Sequence, residues 1–344
     1  MSELLSPRKA ALRSELEPLY DFAPHVLRAH HGGANGARVH FVDEGPRSEE
    51  AVVFQHGNPT WSFAWRRALA ALRDRRRVVA VDMLGCGLSD VPRTFEYRLA
   101  NHVATLESVI ESLGLERVHL VLHDWGGAIG MGYARRHPEK IASITALNTA
   151  AFGGGRMPRR IALCRTPVLG EFGMRTFGLF EKPAVRMAVR KVKLTGLVRR
   201  GYLGPYASSA ERLAVARFVQ DIPTRPNHPS WDELARTGDA VASFAHLPTQ
   251  LLWGERDFCF TPAFREQWLE RLPHAEVHTF EEAGHYLFED EPEAFVERLT
   301  AFLDRVDGGV QQRDVQRRDV QRDAAEPVDP RRDATQDGGA LARG

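Results

Sequence analysis

The residue types that could do covalent chemistry begin with an aspartate at the end of a strand. Arg117-Val-His-Leu-Val-Leu-His-Asp124 reads as a buried strand, and Trp125-Gly-Gly-Ala-Ile-Gly130 as the start of a helix. A turn this tight exposes its central side chain above a sheet, and small residues after it let the helix approach the strand closely. The shape is a nucleophile elbow with a carboxylate at its tip. With a reference pKa of about 3.9, Asp124 is ionised near neutral pH and attacks without help from a base. A carboxylate is a modest nucleophile, so its electrophile must carry a good leaving group or ring strain: an alkyl halide, an epoxide or a strained lactone.

Three further stretches sit where strands end. His56-Gly-Asn-Pro-Thr60 follows one strand, Asp257 follows Leu251-Leu-Trp-Gly-Glu-Arg, and His285 lies in Ala283-Gly-His-Tyr286. The Asn58 amide and the Trp125 indole are donors that would stabilise a departing anion, and the backbone N–H groups of the same residues could form an oxyanion hole. Asp257 would hold the His285 imidazole in one tautomer and stabilise its charged form, and His285 would serve the step after attack. Singly, each has an ordinary alternative: a strand-end cap, a surface carboxylate, or core packing for Trp125. Together they form an ordered set of nucleophile, acid and histidine.

The elements that must hold this set alternate. Ala37–Asp43, Ala51–Gln55, Arg77–Asp82, Val118–Leu122 and Ser143–Leu147 read as strands, several of them continuous apolar runs of the kind buried on both faces. Helical patterns fall at Trp61–Arg73 and Leu99–Leu113. This order predicts an α/β fold, a mostly parallel sheet with helices on both faces. From Phe152 to Phe244 no strand is convincing, which predicts a helical cap, and strands resume at Gln250–Trp253 and Glu276–Phe280 before a last helix, Pro292–Val306. The expected domains are a leader (1–35) with a short helix, a core (36–151 and 246–307), the cap (152–245) and a disordered tail (308–344), whose Gln-Arg-Asp repeats have few large apolar residues.

Lys and Arg (46) nearly cancel Asp and Glu (45), so nothing in the global charge favours nucleic acid. No uninterrupted apolar run reaches about 18 residues and Met1–Tyr20 lacks a signal-peptide core, which predicts a cytoplasmic protein. Cys86, Cys164 and Cys259 match neither a disulfide framework nor zinc spacing. The chemistry above needs neither metal nor cofactor. The basic stretch Arg186–Lys193 with Arg199-Arg200 reads as a solvated cap face, a partner-docking segment or a peripheral membrane contact.

His56-Gly-Asn-Pro-Thr-Trp-Ser62, Asp82-Met-Leu-Gly-Cys-Gly-Leu-Ser-Asp90, His123-Asp-Trp-Gly-Gly127 and Ala283-Gly-His285 resemble the haloalkane dehalogenases of the α/β-hydrolase superfamily. Asn148–Phe152, Arg160–Pro167, Ala214–Pro223 and Trp253–Phe260 are similar to the dehalogenase-related β-lactone decarboxylases of long-chain olefin biosynthesis. The resemblance implies Asp124 as nucleophile, His285 as catalytic histidine, Asp257 as its acid, and Asn58 with Trp125 as the anion-stabilising pair. At the alternative acid position stands Asn148, which carries no charge. The implied reaction converts a cis-3,4-dialkyl-oxetan-2-one into a cis-alkene and carbon dioxide, by attack at the ring carbon or at the carbonyl. The implied partners are a long-chain hydrophobic β-lactone and the olefin-pathway enzymes that make it. Haloalkane dehalogenation is the nearest alternative. Epoxide hydrolysis, the third, would use cap tyrosines, for which Tyr202 and Tyr206 are available.

Overall fold

A computed structural model describes residues 4–154, 157–166 and 168–325, the last stretch from 309 onward as backbone only. Among the described residues eight strands form one sheet: β1 (His25–Ala29), β2 (Ala37–Glu44), β3 (Glu50–Gln55), β4 (Val78–Val81), β5 (Arg117–Asp124), β6 (Ile141–Thr149), β7 (Thr249–Gly254) and β8 (Glu276–Phe280). Their spatial order is β1-β2-β4-β3-β5-β6-β7-β8. β2 runs antiparallel to both its neighbours, and from β4 to β8 every pairing is parallel. All four residues of β4 and all nine of β6 are buried, as strands covered on both faces must be. Each large aliphatic side chain buried this way contributes about 1.5–3 kcal/mol.

The helices are α1 (Pro7–Leu16), α2 (Arg66–Leu72), α3 (Leu99–Ser112), α4 (Trp125–Arg136), α5 (Arg159–Cys164), α6 (Leu169–Phe177), α7 (Glu181–Met187), α8 (Gly196–Leu203), α9 (Leu213–Gln220), α10 (Trp231–Ala240), α11 (Pro262–Arg271), α12 (Leu287–Asp290) and α13 (Pro292–Ala325). α5 to α10 lie in the chain between β6 and β7, the interval in which no strand is predicted. The chain divides into two compact units, residues 1–300 and 301–344.

Several expectations need correction. The leader is not separate from the sheet, because β1 pairs with β2 as its antiparallel edge strand, five residues being too few for a clear alternation. The Trp61–Arg73 helix begins as a 3-10 turn, Ser62–Trp65. Trp61, Phe63 and Trp65 are all fully buried, which no single helical face accommodates, and the Asp82 carboxylate accepts the Ser62 N–H at 2.8 Å. α11 falls where no helix is predicted. The last helix passes Val306 and Gly308-Gly309 and continues to Ala325, through a stretch rich in Gln, Arg and Ala with no proline before Pro327. The rest of the expected disordered tail, 326–344, lies outside the described residues.

Candidate active site

β5 ends in a register shift between His123 and Asp124 that lifts the aspartate out of the ladder. Asp124 takes φ 53° and ψ −124°, a conformation rare for a residue with a side chain, and α4 begins at the next residue. Two neighbours make the turn feasible. The Thr149 hydroxyl donates to the Asp124 carbonyl, and Gly126 passes so close to β3 that a Cβ there would stand 2.1 Å from the Gln55 carbonyl oxygen.

The structure brings the five predicted residues together. The Asn58 backbone N–H donates to Asp124 Oδ1 at 2.7 Å, and His285 Nε2 lies 3.6 Å from Asp124 Oδ2, ion-pair range. His285 Nδ1 donates to Asp257 Oδ2 at 2.7 Å, and the Cys259 N–H donates to the other Asp257 oxygen at 2.6 Å. Asp257 is buried, and the Phe260 ring stacks on His285 at 5.7 Å. The Asn58 Nδ2 donates to the Val215 carbonyl of α9 at 3.2 Å, so a helix of the insertion orients the amide. Trp125 packs edge-on against Phe218 of α9 at 5.6 Å.

Electrostatics follows from this geometry. Burial opposes protonation of His285, but the Asp257 and Asp124 carboxylates outweigh it and raise the imidazole to about 10. Burial likewise opposes ionisation of Asp124, yet His285 and the Asn58 N–H hold its carboxyl below the usual range. Asp124 and Asp257 thus flank the His285 imidazole and favour its charged form.

Asn148 does not face this set as a spare acid. Its Nδ2 donates to the Gly254 carbonyl at 3.1 Å and its Oδ1 accepts the Gly254 N–H at 2.8 Å, a latch between the ends of β6 and β7. His56 is also structural: its Nδ1 donates to the Gly57 carbonyl and its Nε2 accepts the Met83 N–H at 3.0 Å. Neither Tyr202 nor Tyr206 lines the cavity above Asp124, and the Tyr202 hydroxyl donates to Glu289 at 2.5 Å.

Other supports escaped sequence reasoning. The ring of His123, one residue before the elbow, is pushed down to about 3 by burial and by His285, so it is neutral, and its Nε2 donates to the His285 carbonyl at 2.9 Å. Asp290 accepts the N–H of Gly284 at 2.8 Å together with those of Arg190 and Lys191, stitching the His285 loop to the segment after α7. Histidine at 123 and aspartate at 290 were the only signals for these contacts.

Asp124, Trp125, Asn58 and His285 line a cavity of about 1030 Å³ whose other walls are mainly apolar, among them Phe152, Ile161, Phe180, Met187 and Leu234. The volume lies at the upper end of the range for small-molecule sites, about 300–1,000 Å³. The arrangement can form an ester or anhydride on Asp124 with a large apolar substrate, receive a released anion at Asn58 and Trp125, and place a charged imidazole beside the carboxylate.

The family described as alpha/beta hydrolase fold matches residues 50–163 and 194–292, leaving 164–193 unmatched. The cis-3-alkyl-4-alkyloxetan-2-one decarboxylase of Shewanella oneidensis is 37% identical over 84% of this chain and 90% of its own. That of Xanthomonas campestris pv. campestris is 38% identical over 84% of this chain and 98% of its own. The crystal structure of the haloalkane dehalogenase DatA from Agrobacterium tumefaciens C58 superposes with a TM-score of 0.74 at 25% identity, covering 83% of this chain and 97% of that one. The chain thus belongs to the α/β-hydrolase fold family and, within its haloalkane dehalogenase-like branch, to the cis-3-alkyl-4-alkyloxetan-2-one decarboxylases.

Proposed function

We propose that this protein converts cis-3,4-dialkyl-oxetan-2-ones into cis-alkenes and carbon dioxide, with Asp124 as nucleophile. The observation that carries the reading is the kinship along most of the chain to two decarboxylases of that name. The geometry supports it, since a carboxylate stands beside an imidazolium at a large apolar cavity. An Asp124 oxygen attacks the ring carbon bearing the ring oxygen, that carbon–oxygen bond breaks, and the electron pair leaves as the substrate's own carboxylate. Asn58 and Trp125 receive this anion. In the second step the carboxylate loses carbon dioxide, the electrons of the breaking carbon–carbon bond form the alkene, and the Asp124–carbon bond breaks to restore the aspartate. Inversion followed by anti elimination keeps the two alkyl chains cis.

No proton is consumed, and this is where His285 matters. With Asp124 free it is raised to about 10, which favours the charged ring, and a charged ring is not a base for water. Esterification removes the Asp124 charge, but Asp257 stays at 2.7 Å and the released carboxylate adds a negative charge nearby. The imidazolium then stabilises Asp124 as it departs, which favours elimination over hydrolysis. The proposal includes a cytoplasmic location and assembly with the enzymes that form the lactone, because a water-insoluble intermediate is best passed on directly. Among the described residues no helix is long and apolar enough to cross a membrane.

The test is purified full-length protein given a cis-β-lactone with two alkyl chains. cis-Alkene is the expected product, and β-hydroxy acid as sole product sinks the reading. Faster halide release from a long-chain bromoalkane would mark a haloalkane dehalogenase instead. Asp124→Asn should abolish turnover while the protein remains folded, as a cooperative melting curve would show; retained activity places the nucleophile elsewhere.

A further inference from the structure

The six most exposed large apolar side chains among the described residues, Leu163, Val168, Leu169, Phe172, Phe177 and Leu179, fall within seventeen residues of one another and are 55% to 79% exposed. They belong to α5, α6 and the adjoining turns, and all but Leu163 lie in the stretch that the general fold family leaves unmatched. α6 is apolar on more than its inner side. Met174 is buried in a cluster with Ala216 and Val219 of α9, while Leu169 and Phe172 point away from it. A helix apolar beyond its packed face needs a second apolar environment. A patch of this kind on a folded protein marks an interaction surface.

Two observations say what covers it. The first is charge. Residues 157–200 carry eleven Lys and Arg against two Glu. Arg159, Lys182 and Arg186, flanking the patch in the chain, are exposed and form no salt bridge with a described residue. Apolar side chains flanked by exposed cations match an anionic lipid surface, where the apolar groups enter the acyl boundary and the cations meet the headgroups. The second is continuity with the cavity: Leu163, Leu169 and Leu179 are exposed and also line the cavity that holds Asp124. The cavity therefore opens through the patch.

We propose that α5, α6 and their flanking cations form a docking surface for an anionic lipid bilayer, seating the cavity mouth on the hydrocarbon phase so that apolar molecules pass between bilayer and cavity without crossing water. The binding claim does not rest on the decarboxylation reading. The experiment is co-sedimentation of the full-length protein with vesicles of phosphatidylcholine alone and with about one third phosphatidylglycerol. Wild type should bind the anionic vesicles, release in high salt, and bind the neutral ones far less. Phe172→Ser/Phe177→Ser alters two residues outside the cavity lining and should weaken partitioning at least about tenfold while melting as wild type does. Lys182→Glu/Arg186→Glu should do so more strongly at low salt. No sedimentation of wild type, equal binding to neutral vesicles, or unchanged binding of the aromatic variant each overturns the proposal. So does a concentration-dependent dimer that the aromatic variant dissolves while vesicles stay unbound, which would assign the patch to a second copy of the chain. No lactone is turned over in this assay, so its failure is separate from failure of the proposed reaction.

Discussion

Asp257→Asn tests whether the charge on His285 drives the reaction. The rise of this imidazole from 6.5 to about 10 is worth about 5 kcal/mol in favour of the charged ring, and Asp257 is the leading cause acting in that direction. The Cys259 N–H donates to Asp257 Oδ1 at 2.6 Å, so an asparagine would keep its carbonyl oxygen there and turn its amide nitrogen toward His285 Nδ1. The ring would then be neutral, with its hydrogen on Nε2 facing Asp124. With only Asp124 left to oppose burial, His285 should titrate lower than in the wild type. If alkene formation requires the imidazolium, wild type stays mostly competent at about pH 9, whereas the variant loses its imidazolium at lower pH. The rate ratio of wild type to variant should thus rise between about pH 6 and 9, by up to about tenfold per pH unit above the variant's own titration. Alkene and β-hydroxy acid should be quantified together across this range. With Nε2 holding the hydrogen the variant has no base for water, and little hydroxy acid should appear. A constant rate ratio between about pH 6 and 9 refutes the argument.

Gly57→Ala would put a Cβ 2.1 Å from Asp124 Oδ1, so the carboxylate must move; alkene formation should fall about 10²-fold while the melting curve shifts modestly. Asn148→Asp sets a carboxylate oxygen against the Gly254 carbonyl in place of an amide donor and should cost about 1–3 kcal/mol by urea unfolding. The pH dependence of stability has two limbs. Burial holds His56, His102 and His123 below their ordinary value, the latter two to about 3, so the stability they contribute is complete above about 6.5 and is lost as pH falls, at up to about 1.4 kcal/mol per pH unit each. His285, raised to about 10, contributes stability that is complete below about 6.5 and is lost as pH rises through 10. His102→Leu should flatten the acid limb alone, because His102 is stacked on Phe218 at 4.2 Å and both its nitrogens lack a partner.

The sheet was legible where burial on both faces forces continuous apolar runs. β3 and β4 carry that pattern, and β8 falls on the predicted residues, Glu276–Phe280. Legibility failed where tertiary contacts override local pattern. β1 exists because β2 offers it an edge, and α11 has Trp268 as its only buried residue, so no apolar stripe announces it. In α6 the inward Met174 and the outward Phe172 are equally apolar letters; which of them faces solvent depends on α9, some forty residues later.

Residue type and chain order brought out Asp124, Asp257 and His285 because chemistry restricts what can stand on an elbow or beside an imidazole. They could not reveal how these groups are held, since the supports use backbone atoms distant in sequence. Val215 orients Asn58 across 157 positions, His123 reaches the His285 carbonyl across 162, and Asp290 gathers N–H groups 99 and 100 residues away. Any residue offers a carbonyl or an N–H, so such contacts leave almost no compositional trace. The same limit applies to the charge on His285. A histidine followed by tyrosine says nothing of whether its ring is protonated; two carboxylates at 2.7 and 3.6 Å in a buried site do. That charge separates two fates of one Asp124 adduct. In the proposed mechanism a neutral imidazole with a free nitrogen would direct water to the ester, whereas an imidazolium would favour departure of the aspartate as its carboxylate. Under the proposed mechanism, the choice between hydrolysis and elimination would rest on the buried Asp257 and on the Cys259 N–H that fixes it.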